Sequence, residues 1–450
     1  MSTTVHVLLF FSGSGVIIHG TVPVRTMTTE QDIVCVLCCV FEIMNIIIKH
    51  NHDEYGEYIL CALVMRTRPF RCLYEQFKLG AHSQHKIQIK SIMSVSERVA
   101  KRVAERNSWD TFSEPTIGKL CKMLRVGFAP SEIPSQAEID KVFPIAKVNW
   151  ESLRKPPDDK IQSTWIGHAS VMVQMAGFNI ITDPIFSKRC SAVQFAGPAR
   201  YRDPAFTIED ICVAQDVGID VILISHNHYD HLDYNSVREL ASTAIKTNRP
   251  VQFVVALGLK KWFKSHVPKS MQHGNKVDEI DWHETFTIDG KGKDGNSSLE
   301  ITGIPMQHWS NRNGFDKDKS LWCGFALKGA IMDGSGSGTS LNYLFSGDTG
   351  FFDGLYDVGK RYGPFDLAAI PIGAYAPRWF MEPMHTDPED AVKMMDAVQV
   401  KRAFAIHWGT FPLTIEPILE PRERLEEELD KVGKDKSTFV TTLIGETVTS

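Results

Sequence analysis

The sequence predicts an α/β protein in which sheets are covered by helices. From residue 163 onward, short apolar and β-branched runs alternate with segments whose apolar residues recur at helical spacing. Residues 221–225 form an almost entirely apolar run, as expected of a strand that is buried on both faces. Strands that alternate with helices favour a layered α/β architecture over an all-β fold.

The strands are predicted from short β-rich runs bounded by turn residues. We expect strands at residues 163–166, 171–175, 178–182, 221–225, 251–256, 299–304, 320–327, 341–345, 366–371 and 402–406. Ala176-Gly177 predicts a hairpin between the second and third strands. The Gly/Ser-rich segment 333–340 lacks the Lys-Ser/Thr ending of a phosphate-binding loop and opens no helix, so a hairpin connection is favoured over a nucleotide site.

The helices are predicted from apolar periodicity and capping residues. We expect helices at residues 94–106, 116–126, 234–242, 389–398 and 421–432. Asp233 or Asn235 is suited to cap the third of these helices. Pro421 stands at the start of the last helix, where a missing amide hydrogen is tolerated.

The chain changes character near Met93. Residues 1–92 contain Cys-rich apolar segments without clear alternation of strand and helix, and they are predicted to be an N-terminal extension of unknown role that is poorly ordered. The apolar stretch 5–18 lacks a basic start, and the stretch 33–48 is short and contains Glu42. We therefore expect neither a signal peptide nor a transmembrane helix. Residues 93–450 are predicted to form the functional domain.

Charge and cysteine usage restrict the class of protein. The formal net charge is −5 and no basic stripe is present, so a nucleic-acid partner is not expected. The nine cysteines are an odd number at irregular spacing, which argues against a disulfide framework and for an intracellular, reducing location. Cys35-x-x-Cys38-Cys39 resembles half of a zinc knuckle, but no second half follows.

A cluster of metal-ligand residues follows the apolar strand 221–225 directly. His226 and His228 are two apart, so in an extended chain they point to the same side and can hold one ion. Asp230 and His231 fall where the chain bends into the next helix and can face a second ion. Imidazole and carboxylate ligands without thiolate are typical of catalytic zinc. A polar loop that happens to be His-rich is the alternative.

Three further candidate ligands stand at the ends of later strands. His308 follows strand 299–304, Asp348 follows strand 341–345 between glycines, and His407 ends strand 402–406. A single histidine at a strand end is usually structural. Together with the first cluster, the three residues predict the remaining ligands of a two-metal site.

Seven segments then carry a resemblance to a known family. They are residues 164–169 (Thr-Trp-Ile-Gly-His-Ala), 182–187 (Thr-Asp-Pro-Ile-Phe-Ser), 225–233 (Ser-His-Asn-His-Tyr-Asp-His-Leu-Asp), 307–309 (Gln-His-Trp), 347–350 (Gly-Asp-Thr-Gly), 385–391 (His-Thr-Asp-Pro-Glu-Asp-Ala) and 407–411 (His-Trp-Gly-Thr-Phe). Their order resembles the metallo-β-lactamase superfamily and, within it, the N-acyl-phosphatidylethanolamine-hydrolysing phospholipase D family. The resemblance runs from about residue 99 to the C-terminus and implies an αβ/βα four-layer sandwich.

The resemblance implies two Zn²⁺ ions and assigns a role to each ligand. One ion would be held by His226, His228 and His308, the other by Asp230, His231 and His407, and Asp348 would bridge them. Among these ligands, Asp230 and Asp348 are also predicted to be catalytic.

Three other residues have open alternatives. Asp183 resembles a carboxylate that orients ligand imidazoles, although an Asp before Pro is also a common turn former. His168 is either a similar support or a packed core residue. His385 resembles an active-site histidine near the substrate headgroup and is predicted to be catalytic; the alternative is a histidine that merely precedes the helix cap Asp387.

The activity implied by the resemblance is zinc-dependent hydrolysis of N-acyl-phosphatidylethanolamine to N-acylethanolamine and phosphatidic acid. Two adjacent cations would generate hydroxide near neutral pH. The chain contains no His-x-Lys pair, so the phosphohistidine route of the other phospholipase D class is not expected. The alternatives are a hydrolase of the same fold that acts on a soluble phosphodiester or sugar-phosphate lactone, and a non-catalytic lipid-binding or scaffold protein.

The expected partner is a phospholipid at a membrane surface, to which the protein would attach peripherally; whether it is a monomer or a homodimer stays open. Trp379, Phe380 and Met381 form an apolar cluster in a proline-bounded loop that either dips into the membrane interface or folds back onto the core. The helix at 116–126, with basic residues beside its apolar face, is a second candidate for membrane contact or for packing on the domain.

Overall fold

The computed structural model describes residues 3–10, 17–24, 83–130, 132–267, 274–291, 296–332 and 338–450. The chain divides into two compact units, Met1–Lys86 and Ile87–Ser450. In the first unit, β1 (Thr3–Phe10) and β2 (Ile17–Val24) pair antiparallel and overlap the first apolar stretch. The second apolar stretch, 33–48, and the Cys35-x-x-Cys38-Cys39 cluster lie outside the described residues. The predicted start of the functional domain at residue 93 stays a prediction.

The second unit contains two seven-stranded mixed sheets. The first sheet begins with β3 (Gln162–Gly167), β4 (Ser170–Met175), β5 (Phe178–Thr182), β6 (Val221–Ile224), β7 (Gln252–Ala256) and β8 (Lys276–Ile280). The second sheet consists of β9 (Thr285–Lys291), β10 (Ser297–Ile304), β11 (Gly324–Met332), β12 (Gly338–Phe345), β13 (Leu367–Pro371), β14 (Ala403–Ile406) and β15 (Phe439–Val440). The last strand, β16 (Thr447–Thr449), returns to the first sheet beside β3.

Each sheet is part antiparallel and part parallel. The order of the first sheet is β16-β3-β4-β5-β6-β7-β8, and it is parallel from β5 to β8. The order of the second sheet is β15-β14-β13-β12-β11-β10-β9, and it is parallel from β12 to β15. Residues 333–337 lie outside the described part, but the flanking β11 and β12 pair antiparallel, as in the predicted hairpin.

The two sheets pack face to face around one continuous apolar core. Gly329 of β11 lies so close to β4 that an added Cβ would be 2.8 Å from the Cβ of Ala176 and 3.1 Å from the Cε of Met175. Strands β3, β4, β6, β13 and β14 are buried along their whole length, so both of their faces are covered.

Ten α-helices are described from residue 83 onward. They are α1 (Ser83–Asn107), α2 (Ile117–Val126), α3 (Gln136–Val142), α4 (Trp150–Arg154), α5 (Tyr234–Lys246), α6 (Lys260–His266), α7 (Gly354–Tyr362), α8 (Arg378–Met381), α9 (Pro388–Ala397) and α10 (Glu420–Lys431). Buried residues of α5, α6, α7, α9 and α10 join the core of the sheets. Asp233 caps α5, because its carboxylate accepts a hydrogen bond from the amide of Ser236 at 3.1 Å. The layers are those of the predicted αβ/βα sandwich.

Two differences from the sequence-based expectation have physical causes. The strand predicted at 320–327 begins only at Gly324, because the amides of Leu321 and Cys323 donate to the carbonyls of Leu257 and Ser225 rather than to a neighbouring strand of the sheet. Strands β8, β9, β15 and β16 were not predicted, and all four are edge strands. Polar residues interrupt the apolar pattern of β8 and β9, as is common in edge strands, and β15 and β16 are only two and three residues long.

Within the described residues, no helix combines the length and the apolar character that crossing a bilayer requires. The cysteines of this part of the chain, Cys121, Cys190, Cys212 and Cys323, have free thiols. The other five lie outside it.

Candidate active site

The seven predicted ligands lie in loops that follow four strands. Residues 226–231 follow β6, His308 follows β10, Asp348 follows β12, and His407 follows β14. The structure brings these loops together and forms four overlapping groups of His and Asp residues, in each of which the candidate ligand atoms lie within 4.8 Å of one another; two of these groups contain four residues each. The first group contains His226, His228, His308 and Asp348, and the second contains His168, Asp230, His231 and His407.

In the first group, three imidazoles point ring nitrogens at one place. The Nδ1 atom of His228 is 2.8 Å from Nε2 of His226 and 3.3 Å from Nε2 of His308. Burial holds the pKa of His226 and His308 well below its ordinary value and lowers that of His228 to about 4. The imidazoles are therefore neutral, and their lone pairs are free to bind a divalent cation.

The second group combines imidazoles with carboxylates. The Nε2 atom of His231 is 3.2 Å from Nε2 of His407, 3.3 Å from Oδ2 of Asp230 and 3.0 Å from Oδ2 of Asp348. Burial alone would raise the pKa of the Asp230 and Asp348 carboxyls, but the charge of His231 holds both pKa values well below the ordinary value. Burial alone would lower the pKa of His407, but Asp348 and Asp230 raise it to about 9. Two ionised carboxylates thus stand among the imidazoles.

Asp348 belongs to the first group and also contacts the second. Its Oδ2 is 3.8 Å from Nε2 of both His226 and His308, and its Oδ1 is 3.2 Å from Nε2 of His407. Oδ1 is buried, and His407 is its contact among the described residues. A carboxylate in this position is suited to bridge two cations, because each oxygen faces imidazoles.

Asp183 contacts both groups, one of them through a serine. Its Oδ2 accepts a hydrogen bond from Nδ1 of His231 at 2.7 Å and another from the hydroxyl of Ser225 at 2.5 Å. The Ser225 hydroxyl is in turn 2.9 Å from Nδ1 of His226. This geometry favours the orienting role of Asp183 over that of a turn former. Sequence reasoning missed Ser225, although it directly precedes the first ligand.

His168 supports Asp230. It is buried, and its Nε2 is 2.8 Å from Oδ2 of Asp230. Burial lowers the pKa of His168 to about 3, so the ring is neutral and its Nε2–H can donate to the carboxylate. The main-chain carbonyl of His168 also accepts from the amide of His407 at 3.0 Å. These contacts favour a supporting role for His168 over simple core packing.

His385 is buried between the two groups. Its ring centroid is 5.1 Å from that of His308 and 5.4 Å from that of His407. The Nη1 atom of Arg378 donates to its carbonyl at 2.7 Å. Asp387 caps α9. His385 therefore precedes a helix cap, and it also lies beside the candidate ligands, so both alternatives describe its position.

The neighbouring segment 379–384 forms a small apolar cluster with α2. Phe380, Met384 and Met123 are buried in it, whereas Trp379 and Met381 are half-buried. Phe380 therefore folds back onto the protein rather than outward. It lies in the short helix α8, where a loop was expected.

Most of the apolar face of α2 is left uncovered by the other described residues. Ile117 is 82% exposed, Leu124 54% and Leu120 46%. On the same helix, the Nζ atom of Lys122 lies 4.2 Å from the centre of the Trp379 ring. Of the apolar residues of α2, Met123 is the one buried.

Residues 178–408 match the family model of a β-lactamase superfamily domain, which spans the chain from β5 to just beyond His407. The N-acyl-phosphatidylethanolamine-hydrolyzing phospholipase D 1 of Caenorhabditis elegans is 35% identical to this chain over 336 residues, which are 74% of this chain and 87% of that protein. The chain belongs to the N-acyl-phosphatidylethanolamine-hydrolysing phospholipase D family of the β-lactamase superfamily. Family membership confirms the predicted resemblance and fold and makes the protein a metal-dependent hydrolase.

A second phospholipase D of this family, the mitochondrial protein of Saccharomyces cerevisiae, is 32% identical over 268 residues, which are 59% of this chain and 51% of that protein. Among solved structures, the metallo hydrolase Igni18 of Ignicoccus hospitalis is 21% identical, with a TM-score of 0.43, covering 65% of this chain and 98% of that one.

Proposed function

We propose that the protein hydrolyses N-acyl-phosphatidylethanolamine to an N-acylethanolamine and phosphatidic acid with the help of two zinc ions. The observation that supports this most is the convergence of all seven predicted ligands in two groups, both of which Asp348 contacts, in a chain that belongs to this phospholipase D family.

The donor set fits a pair of divalent cations. Three neutral imidazoles would hold one ion, and Asp230, His231 and His407 would hold the other, with Asp348 shared. Nitrogen and carboxylate ligands without thiolate suit zinc in a catalytic site. When bound, the cations supply Lewis-acid chemistry, which activates water and offsets the negative charge of a phosphodiester.

The other residues hold this arrangement in place. Asp183 and Ser225 fix the imidazoles of His231 and His226, and His168 fixes the carboxylate of Asp230. In the reaction, water adds to phosphorus and the P–O bond to the N-acylethanolamine oxygen breaks, so that this oxygen leaves with a proton. His385 lies beside both groups and is the side chain that we assign to the substrate headgroup.

We propose that the substrate reaches the site from a membrane surface, to which the protein attaches peripherally. Helix α2, which carries the exposed apolar residues, contacts Trp379 through Lys122, and Trp379 and Met381 pack on the cluster that contains Met123. Trp379 and Met381 are close in sequence to His385. Lysines beside an apolar helical face are typical of segments that lie in the interface of a bilayer with anionic headgroups.

The test is hydrolysis of N-acyl-phosphatidylethanolamine in phosphatidylcholine vesicles, with and without a chelator, followed by mass spectrometry. We expect N-acylethanolamine and phosphatidic acid in equal amounts, loss of both with chelator, and recovery on addition of zinc. Asp348→Asn should be inactive. Turnover of soluble phosphodiesters without turnover of vesicles would contradict the proposal and favour a related soluble hydrolase.

A further inference from the structure

A fully buried arginine lies behind the candidate metal site. Arg106 is the penultimate residue of α1, and its side chain has no exposed surface. Its Nη1 donates to the main-chain carbonyl of His308 at 3.0 Å, and its Nη2 lies 3.0 Å from Oδ2 of Asp318. A buried charge is unfavourable unless it is paired and hydrogen-bonded, so these contacts explain why Arg106 is stable at this position.

The guanidinium also has a fixed orientation. It lies 4.0 Å from the centre of the Phe112 ring and 4.8 Å from that of Trp322. Its Nε and Nη2 donate to Oδ1 of Asn107 at 3.0 and 2.7 Å. Because Arg106 is held from several sides, its hydrogen bond to the His308 carbonyl has little freedom to move.

Arg106 binds both ends of the segment 308–318. The amide of Asp318 donates to the carbonyl of Ser310 at 2.7 Å, which closes this segment into a loop. Arg106 contacts His308 at the beginning of the loop and Asp318 at its end. The His308 imidazole is fixed separately, since its Nδ1 is 2.9 Å from the carbonyl of Met384. The main chain and the ring of His308 are therefore held by different partners.

Two other arginines of α1 have a different function. Arg98 and Arg102 precede Arg106 at four-residue spacing, which places all three on one helix face. Their Nε atoms donate to the carboxylate of Asp281 at 3.0 and 2.9 Å, and among the described residues neither forms a hydrogen bond or an ion pair with the loop 308–318. These two attach α1 to the domain, whereas Arg106 reaches a candidate ligand.

We infer that Arg106 is a positioning residue for His308 and that α1 is thereby part of the metal site. This inference rests on the proposed two-metal function. Partners that orient ligands from outside the coordination sphere typically change metal affinity by about 10–100-fold when removed. Loss of Arg106 should therefore weaken the ion held by His226, His228 and His308 more than the other ion.

The experiment compares the full-length wild-type protein with Arg106→Met, Arg106→Lys and the control Arg98→Met. Zinc retained per chain is measured by elemental analysis across a series of chelator-buffered free zinc concentrations, together with kcat, KM and the unfolding temperature. We expect Arg106→Met to bind one of two ions about ten-fold more weakly and to lose about ten-fold in kcat, with KM within two-fold. Arg106→Lys should recover part of this loss, and Arg98→Met should bind both ions like the wild type.

A purely structural arginine would give a different pattern. If Arg106→Met unfolds at lower temperature but binds both ions with wild-type affinity, the inference is wrong. If Arg106→Met does not fold, Asp318→Asn, which keeps the size of the partner and removes its charge, should still weaken one ion; unchanged zinc binding by that variant overturns the inference. A wild-type chain that binds no divalent ion would instead overturn the proposed function together with this inference.

Discussion

The carboxylate of Asp183 accepts a hydrogen bond of 2.7 Å from Nδ1 of His231, so the opposite ring nitrogen of His231 faces Asp230 and Asp348. The same carboxylate reaches His226 through the hydroxyl of Ser225. One buried acid therefore orients an imidazole in each ligand group.

Replacing Asp183 with Asn should weaken metal binding in both groups. In Asn, an NH₂ group replaces Oδ2. This group is a donor and cannot accept the hydrogen bonds that Nδ1–H of His231 and the hydroxyl of Ser225 donate to Oδ2 of Asp183. We expect about 10–100-fold lower affinity for at least one ion and a matching loss of kcat. Zinc content in chelator-buffered solution is the measurement. Ser225→Ala is the matched variant, since it should affect only the group that contains His226; normal zinc binding by Asp183→Asn would contradict the orienting role.

Replacing His385 with Ala should separate catalysis from metal binding. His385 lies beside His308 and His407 and shares with Asp348 and His407 a group whose candidate ligand atoms lie within 4.8 Å of one another, but it is not one of the seven predicted ligands. We expect both ions to be retained and kcat to fall by about 10²–10⁴-fold, the range for a residue that exchanges a proton with the substrate. His283→Gln, which changes a histidine bound to Tyr362, is the control and should keep full activity. If His385→Ala loses an ion, His385 is a metal ligand and the predicted separation of catalysis from metal binding is wrong.

Leu120 and Leu124 should matter for vesicles but not for folding. Both are about half exposed on α2, so changing them to Ser removes little buried surface. If the helix enters a bilayer, the double variant should bind phosphatidylcholine vesicles containing substrate at least about ten-fold more weakly, because each leucine buried is worth about 1.5–3 kcal/mol. Sedimentation with vesicles measures this. Turnover of substrate dispersed in detergent should stay within about two-fold of the wild type.

Tyr356 provides the control for this experiment. It is 57% exposed on α7, so Tyr356→Ser changes a comparable exposed side chain on another helix. Vesicle binding by Tyr356→Ser should equal that of the wild type. If both variants lose binding equally, α2 has no specific part in membrane contact.

A chain that begins at Met93 should keep full activity and zinc content. It retains Arg98, Arg102 and Arg106, which carry the hydrogen bonds of α1 to Asp281 and to the loop 308–318. A chain that begins at Ser108 lacks all three and should lose zinc and turnover. Activity and elemental analysis of the two shortened proteins are the measurements, and loss of turnover or of soluble expression on truncation at Met93 would contradict the predicted domain boundary.

The sequence by itself determined the alternation of strands and helices and the positions of the seven candidate ligands. These features depend on residues that are close along the chain. The apolar run 221–225 predicts a buried strand, and the histidines directly after it can be recognised by type and spacing. The edge strands β8 and β9 escaped this reasoning because polar residues interrupt their apolar pattern, and β15 and β16 escaped it because they are only two and three residues long.

The tertiary structure decided which partners hold the ligands. Asp183 meets His231 across 48 residues, His168 meets Asp230 across 62, and Arg106 meets the His308 carbonyl across 202. Local sequence patterns cannot specify such contacts, because they arise only when the two sheets pack and bring the loops at their strand ends together. The same packing buries Phe380 and leaves the apolar face of α2 uncovered, which periodicity alone could not distinguish.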